Sequence, residues 1–247
     1  MLKSLIKGLF NRVGLDLSFK HPERLEGNRV FKFVKDLNLD VVVDVGANVG
    51  QFGVGLIDAG FKGRLISFEP LAAEHAQLTE RARSFPNWQV ASRVALGEND
   101  GELLIHRAGN SESSSFLPML QKHIHEAPDS QVIGEERVAV RRLDRCPEVT
   151  KEAGNLFLKV DTQGYELRVL QGATGIMPRV AGLLLEASIV PLYEGCPLIA
   201  EVMDNLRQYG FEVADLYGAF ASKDGQMLQV NLIAVRRTNE LRAQGKT

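Results

Sequence analysis

Four carboxylates that could do chemistry each stand at the end of an apolar stretch. Asp44 follows VVV, Glu69 follows LISF, Asp161 follows LFLKV and Glu186 follows AGLLL. Short apolar runs bounded by glycine or proline are typical of buried strands. Because ligands of parallel sheets bind at the carboxyl ends of the strands, we expect the four side chains to line one edge and one site.

The first carboxylate opens a glycine-rich turn, DVGANVGQFG, which leads into a helical pattern. The free N–H groups of a helix start favour an anionic group, and Gly46 and Gly50 allow a ligand to approach the backbone closely. A dinucleotide site needs glycine at the position of Asn48, where the backbone contacts the pyrophosphate. Asn48 therefore argues against a nicotinamide cofactor.

S-adenosylmethionine (SAM) has no phosphate, carries a sulfonium charge and offers a ribose diol. Asp44 fits beside its cationic methionine part, and Glu69 suits hydrogen bonds to the two ribose hydroxyls. The alternative is that Asp44 caps the following helix and that Glu69 is a solvated strand end. The candidate cofactor-binding residues are Asp44, Gly46, Asn48, Gly50, Glu69 and Pro70.

Asp161 is the first candidate for a general base that accepts the proton of a hydroxyl group. It precedes a turn containing Gly164, so it could instead cap the next helix. Lys159, two residues earlier, is a further catalytic candidate and should point to the same side. A buried lysine needs a partner, and Asp161 or Glu186 could serve; the alternative is a purely structural ion pair. Glu186 could share the base work or bind a metal with Asp161, but two carboxylates are a weak signal and we predict no metal site.

A polar stretch over residues 108–137 interrupts the regular pattern, with four serines in the five positions from Ser111. Such a long insertion in a compact fold is either a functional loop or a disordered one. We favour a lid that excludes water, with His123 as a second candidate base ranked behind Asp161. The alternative is a surface loop in which His123 and His125 are solvated.

Helical and strand patterns alternate along the chain until a closing hairpin. Helices are predicted at 23–37, 49–59, 71–84 and 198–209, and strands at 41–46, 63–70, 88–96, 102–107, 137–143, 156–160, 181–189, 211–220 and 227–236. This order predicts a doubly wound, mostly parallel α/β sheet with an antiparallel closing strand. We assign residues 1–40 to an N-terminal helical extension and residues 41–247 to one domain.

The composition of the 247 residues is that of an ordinary globular protein, with 45% apolar residues and a net charge of −2. No basic field indicates a nucleic-acid partner. Cys146 and Cys196 match no metal-binding or redox spacing, so we expect a cytoplasmic protein. Residues 1–14 form a basic amphipathic pattern that could contact an anionic membrane surface peripherally, but we favour packing on the domain or on a second subunit.

Five spaced blocks together resemble the FkbM-type family of SAM-dependent methyltransferases. They are DVGANVGQFG, ISFEPL, RRLD, LKVDTQGYELRVLQGA and LLLEAS, spread over about 41–189. The resemblance implies a Rossmann-like, seven-stranded methyltransferase sheet and methyl transfer, usually to a hydroxyl oxygen of a sugar, a glycan or a natural product. The family commonly has Glu at the position of Gln163, so the resemblance gives this residue no acid–base or metal-binding role.

Two other functions stay open on the sequence. A nicotinamide-dependent oxidoreductase can be built on a similar fold, although Asn48 argues against it. A non-catalytic module could keep the fold and bind a partner, and the replacement at Gln163 is the one motif departure in its favour. The retained carboxylates Asp44, Glu69 and Asp161 favour the enzyme, with a small-molecule or glycan acceptor as its second substrate.

Overall fold

The computed structural model describes residues 26–236, so the amphipathic pattern of residues 1–14 lies outside it. The helices are α1 (Glu26–Asp36), α2 (Gln51–Asp58), α3 (Ala72–Ala82), α4 (Gln121–Glu126), α5 (Pro147–Thr150), α6 (Glu166–Gln171) and α7 (Ile199–Gln208). The strands are β1 (Val41–Val45), β2 (Arg64–Phe68), β3 (Trp88–Val90), β4 (Ala95–Leu96), β5 (Gly101–Ala108), β6 (Val132–Arg141), β7 (Leu156–Val160), β8 (Val180–Ser188), β9 (Phe211–Ala221) and β10 (Met227–Arg236).

The main sheet has seven strands in the order β3-β2-β1-β7-β8-β10-β9. All neighbours from β3 to β8 pair in parallel, and β10 lies antiparallel between β8 and β9. The predicted doubly wound sheet with an antiparallel closing strand is therefore confirmed. The chain leaves β1 toward β2 on one side and later adds β7 on the other, so the ligand-binding switch point lies between β1 and β7.

The two central strands are apolar because both of their faces are covered. Val43 and Leu158 belong to the core on one face of the sheet, and Val42 and Phe157 belong to the core on the other. On that second face each strand carries one charged residue, Asp44 on β1 and Lys159 on β7, and these are register partners.

A second, three-stranded sheet in the order β4-β6-β5 corrects two sequence predictions. The strand predicted at 88–96 is two strands in different sheets. The stretch 108–137 is not a loop throughout, because it contains α4 and the first part of β6, which pairs antiparallel with β5. Local periodicity could not show this, since the first residues of β6 are largely exposed and the strand is defined by a distant partner.

Helix α1 is packed closely on the domain. A Cβ atom at Gly27 would lie 2.2 Å from the carbonyl oxygen of Gly55 in α2, so the two helix backbones are in direct contact. The boundary at residue 40 stays a prediction, but α1 forms one side of the cavity described below. Among residues 26–236, no helix combines the length and the hydropathy that crossing a bilayer requires.

Candidate active site

A cavity of about 460 Å³ opens at the carboxyl ends of β1, β2 and β7. One wall is apolar and comes largely from the second sheet and the segments that flank it: Leu71, Val94, Ala95, Leu96, Ile105 and Phe116. The other wall is polar and carries Glu26, Lys159, Asp161, Gln163, Glu186, Tyr217 and Asn231. The glycine-rich turn, Glu69 and Pro70 also line the cavity, which matches the sheet edge that the sequence predicts.

The glycine-rich turn has a backbone that requires its residue types. Gly46 has φ of 74°, and a Cβ atom there would lie 1.9 Å from the carbonyl oxygen of Asp161. Asn48 also has positive φ, and its side chain donates a hydrogen bond from Nδ2 to Ser111 Oγ at 2.9 Å. Gly50 does not line the cavity; a side chain there would meet Trp88 and Leu78, so this glycine allows the helix to pack.

Glu69 is buried at the cavity wall and is not a solvated strand end. Its two oxygens accept hydrogen bonds from the backbone N–H groups of Asn48 and Leu71, both at 2.8 Å. Burial raises the pKa of Glu69 to about 7, although these two hydrogen bonds oppose the shift. The carboxyl group is thus held in one orientation, and its remaining lone pairs can accept further hydrogen bonds.

Asp44 does not reach the cavity. It is fully buried, pairs with Lys159 Nζ at 3.0 Å and accepts a hydrogen bond from Ser67 Oγ at 3.2 Å. It does not cap α2 either, since that helix begins after Gly50 without a side-chain cap. Any effect of Asp44 on a ligand therefore passes through Lys159.

Lys159 lines the cavity and connects the turn to the reaction side. Its ammonium group donates to the carbonyl of Gly46 at 2.9 Å and lies 3.7 Å from Asp161 Oδ2. Burial lowers the pKa of Lys159, but the charges of Asp44, Asp161 and Glu26 outweigh it and raise the pKa above its usual value. The lysine is therefore a fixed positive charge. Its nearest carboxylate is Asp44, which the sequence reasoning did not offer as a partner, and of the two partners it did offer Asp161 lies within 4 Å.

Asp161 lines the cavity and its side chain is 38% exposed, whereas Asp44 and Glu69 are buried. It does not cap α6, because that helix begins after Tyr165 without a side-chain cap. Glu166 holds the turn instead, accepting hydrogen bonds from the backbone N–H groups of Thr162 and Gly164. The alternative interpretation of Asp161 as a helix cap is therefore wrong.

Glu186 also lines the cavity, two residues before the end of β8. Its Oε2 accepts hydrogen bonds from the side-chain amides of Gln163 at 2.7 Å and Gln229 at 2.8 Å. Burial and the nearby charges of Asp161 and Glu166 raise the pKa of Glu186 well above its usual range. Asp161 and Glu186 thus differ strongly in environment although they share Gln163 as a donor.

His123 is placed away from the cavity. Its ring is buried between Tyr193 and Phe220, with centroid distances of 5.1 and 5.4 Å, and burial lowers its pKa. The candidate base His123 is therefore a neutral packing residue in this structure, and His125 is solvent-exposed beside Glu126.

The serine cluster covers the glycine-rich turn. Ser111, Ser114 and Ser115 line the cavity, and Ser115 Oγ donates to the carbonyl of Gln163 at 2.7 Å. Glu112 accepts a hydrogen bond from Gln51 of α2 at 2.6 Å. These contacts join the segment to both sides of the cavity, as the lid hypothesis requires.

The sequence reasoning missed a hydrogen-bonded group in the cavity wall that consists of Glu26, Tyr217 and Asn231. Glu26 Oε1 accepts hydrogen bonds from the Tyr217 hydroxyl and the Asn231 amide, both at 3.1 Å. They come from α1, β9 and β10, which carry no motif. Polar residues inside the otherwise apolar pattern of β10 were the one available signal.

Comparison with known proteins gives the family. The model of the methyltransferase FkbM domain matches residues 44–213. The AMB antimetabolite synthetase AmbE of Pseudomonas aeruginosa is 27% identical over 75% of this chain, and the hexuronic acid methyltransferase AglP of Haloferax volcanii is 25% identical over 60% of it. The chain spans about a tenth of AmbE and about half of AglP.

Among solved structures, one similar protein is the magnesium protoporphyrin IX methyltransferase ChlM of Synechocystis PCC 6803, crystallised with SAM. The similarity covers 95% of this chain and 97% of that one, with 14% sequence identity and a TM-score of 0.47. The domain match covers more than half of the chain and includes the glycine-rich turn, Glu69, Asp161 and Glu186. The chain therefore belongs to the FkbM methyltransferase family.

Proposed function

We propose that the enzyme transfers the methyl group of SAM to a hydroxyl oxygen of a sugar, a glycan or a related hydroxyl-rich natural product. The observation that carries the proposal is the environment of Asp161. This carboxylate is accessible from the cavity, lies 3.7 Å from the ammonium group of Lys159 and is oriented by a hydrogen bond from Gln163 at 2.9 Å. A base fixed in this way can accept the proton of a bound hydroxyl group.

The residues around the turn fit the cofactor. Glu69 presents a fixed carboxyl group for the ribose hydroxyls, and Pro70 continues the wall beside it. The apolar wall suits the adenine ring, and Gly46 and Asn48 line the cavity where the methionine part would lie. When bound, SAM supplies an electrophilic methyl group whose bond to the sulfonium breaks during the transfer.

Asp161 and Lys159 then have distinct parts in the reaction. Asp161 accepts the hydroxyl proton as the acceptor oxygen forms its bond to the methyl carbon, and the electron pair of the broken bond stays on sulfur. Lys159 holds a positive charge 3.7 Å from Asp161 and fixes its position relative to the glycine-rich turn. Because the sulfonium is already an activated leaving group, positioning of the hydroxyl supplies much of the rate.

The polar wall favours an acceptor with several hydroxyl groups. Glu186, Asn231 and Tyr217 are register partners across β8, β10 and β9 and form one row of donors and acceptors. Glu26 completes the row from α1. This set offers both kinds of hydrogen-bonding group to neighbouring hydroxyls, and AglP, a relative, is named as a hexuronic acid methyltransferase.

A cytoplasmic location and a peripheral membrane contact through residues 1–14 stay predictions. The net charge of −2 supports an acceptor other than nucleic acid.

Label transfer tests the proposal. The enzyme is incubated with SAM carrying a deuterated methyl group and with a cell extract, and labelled products are identified by mass spectrometry and by the linkage of the methyl group. We expect the label on an oxygen of a carbohydrate-containing compound. Label found only on nitrogen, carbon or sulfur would contradict the proposal. Calorimetric titration with SAM and with NAD is the control, and binding of SAM alone is expected.

A further inference from the structure

Gln163 joins the two carboxylates of the reaction side. Its Nε2 lies 2.9 Å from Asp161 Oδ1 and 2.7 Å from Glu186 Oε2, so each amide hydrogen has an acceptor. Its Oε1 lies 3.0 Å from the hydroxyl of Tyr193, which can donate to it. The buried amide of Gln163 thus has a partner for every hydrogen.

The two carboxylates determine which way this amide points. If the amide were turned around, Oε1 would face two acceptors and would repel them unless both carried protons. Tyr193 does not decide the orientation, because its one hydroxyl hydrogen has two acceptors within reach, Gln163 Oε1 at 3.0 Å and the carbonyl of Ser113 at 2.8 Å. The ring of Tyr193 packs edge-on against His123. The position of His123 is explained by this contact.

The backbone of Gln163 supports a functional reason for its placement. Its φ is 54°, in the left-handed region, which a residue other than glycine adopts at a cost in energy. The conformation is kept by Ser115, whose hydroxyl donates to the carbonyl of Gln163 at 2.7 Å. The lid segment therefore positions the residue that bridges the carboxylates.

We propose that Gln163 is a positioning residue that takes the place of a bridging cation between Asp161 and Glu186. A divalent cation would coordinate carboxylate oxygens from both residues. Here one oxygen of each carboxylate already accepts an N–H group of Gln163, and the second oxygen of Asp161 faces Lys159. The N–H donors of the neutral amide and the positive charge of the Lys159 ammonium group occupy the carboxylate oxygens that a cation would otherwise contact.

The proposal predicts a gain of metal binding when the amide is replaced. Gln163→Glu places three carboxylates together and removes both N–H donors. Among residues 26–236, the unaltered protein has no group of three or more metal-ligating side chains placed to hold an ion. We expect Gln163→Glu to bind Mn²⁺ at least about 10-fold more tightly than the unaltered protein, measured by electron paramagnetic resonance of free Mn²⁺.

Gln229 provides a matched control. Its amide also donates to Glu186, at 2.8 Å, but has no contact with Asp161. Gln229→Glu should therefore show no comparable gain, and adding Glu186→Gln to Gln163→Glu should remove the gain. Equal gains in both single variants, no gain in a Gln163→Glu protein that still binds SAM, or equally tight Mn²⁺ binding by the unaltered protein would each overturn the proposal.

A second measurement requires only the unaltered sequence. The side-chain amide signals of Gln163 should keep their width in NMR spectra when an equimolar amount of Mn²⁺ is added. Strong paramagnetic broadening of these signals would contradict the proposal. The step in which Asp161 acts as the base rests on the proposed function, but Mn²⁺ binding needs no methyl acceptor, so the two can fail separately.

Discussion

Lys159 is the residue on which the polar side of the site depends. Its ammonium group is the positive charge between buried Asp44 and accessible Asp161, and it also holds the carbonyl of Gly46. One side chain therefore fixes the glycine-rich turn and the candidate base relative to each other. Sequence reasoning placed Lys159 among the catalytic candidates, and the structure makes it the electrostatic link between the cofactor side and the reaction side.

Removing this charge should destabilise the fold. Lys159→Met leaves Asp44 buried without its cation, and breaking such a pair costs about 3–5 kcal/mol of the free energy of unfolding, measured by urea denaturation. The double variant Lys159→Met, Asp44→Asn should recover part of the loss, because no buried charge is then left unpaired. If the loss of unfolding free energy in the double variant equals the sum of the losses in the two single variants, Lys159 and Asp44 are not coupled as described.

Glu69 gives a prediction about cofactor affinity. Glu69→Gln keeps the shape but loses one carboxylate oxygen, so SAM binding should weaken by about 1–3 kcal/mol in calorimetry. Because the pKa of Glu69 is raised to about 7, its ionised fraction grows above that pH and SAM should then bind more tightly. The variant should lose this pH dependence, and an unchanged pH profile in Glu69→Gln would assign it to another group.

At the scale of elements, much of the fold follows from the sequence. Strands such as β1 and β7 have continuous apolar runs, and the turn of the predicted closing hairpin contains Gly225 at φ of 90°. The second sheet could not be predicted, because β6 begins in polar residues whose partner β5 is distant in the chain. The contribution of α1 to the cavity could not be predicted either, because the hydrogen-bond partners of Glu26 are distant in the chain and contact it only in the folded protein.

The contact between α1 and α2 can be tested with two glycines. Gly27→Ala would bring a Cβ atom to 2.2 Å from the carbonyl oxygen of Gly55, so the helices must separate and Glu26 must shift. Gly55→Ala meets Gly27 only at 3.9 Å and should be neutral or stabilising by up to about 1 kcal/mol, since alanine favours helix. We expect a lower melting temperature for Gly27→Ala alone, and equal effects would contradict this contact.

At the scale of the whole molecule, buried glutamate side chains of the site make stability depend on pH. Burial raises the pKa of Glu26 and Glu186, and raises the pKa of Glu69 and Glu166 to about 7. The folded protein therefore holds these protons more tightly than the unfolded chain does. Their contribution to stability is complete below the ordinary glutamate pKa of 4.5 and is lost as the pH rises through 7.

The urea midpoint should accordingly fall between about pH 5 and about pH 8. The lowered pKa of His123 acts in the opposite direction, but it is one group against the four glutamates and Asp44, whose pKa burial also raises. Glu166→Gln keeps a hydrogen-bond acceptor for Thr162 and Gly164 and should flatten the decline. A midpoint that rises over this range would mean that the four carboxyl groups are ionised in the folded protein.

The chemistry of the whole site could be predicted only in part. The carboxylates Glu69, Asp161 and Glu186 were found because each comes near the end of an apolar strand, and the structure brings all three to one cavity. The separate roles of the three carboxylates could not be predicted from strand ends, because these roles depend on burial and on hydrogen bonds from residues such as Gln163. His123 was misplaced because a histidine in a polar segment gives no sign of whether its ring will be buried.

The most direct test compares the unaltered enzyme with Asp161→Asn in the labelled-methyl reaction, after its acceptor has been isolated. Asparagine cannot take the hydroxyl proton, so turnover should fall by about 10²–10⁴-fold while the calorimetric affinity for SAM stays within a few-fold. Glu201→Gln, an exposed change on α7 outside the cavity lining, serves as the matched variant and should keep most of the turnover. Full turnover by Asp161→Asn would contradict the assignment of Asp161 as the base.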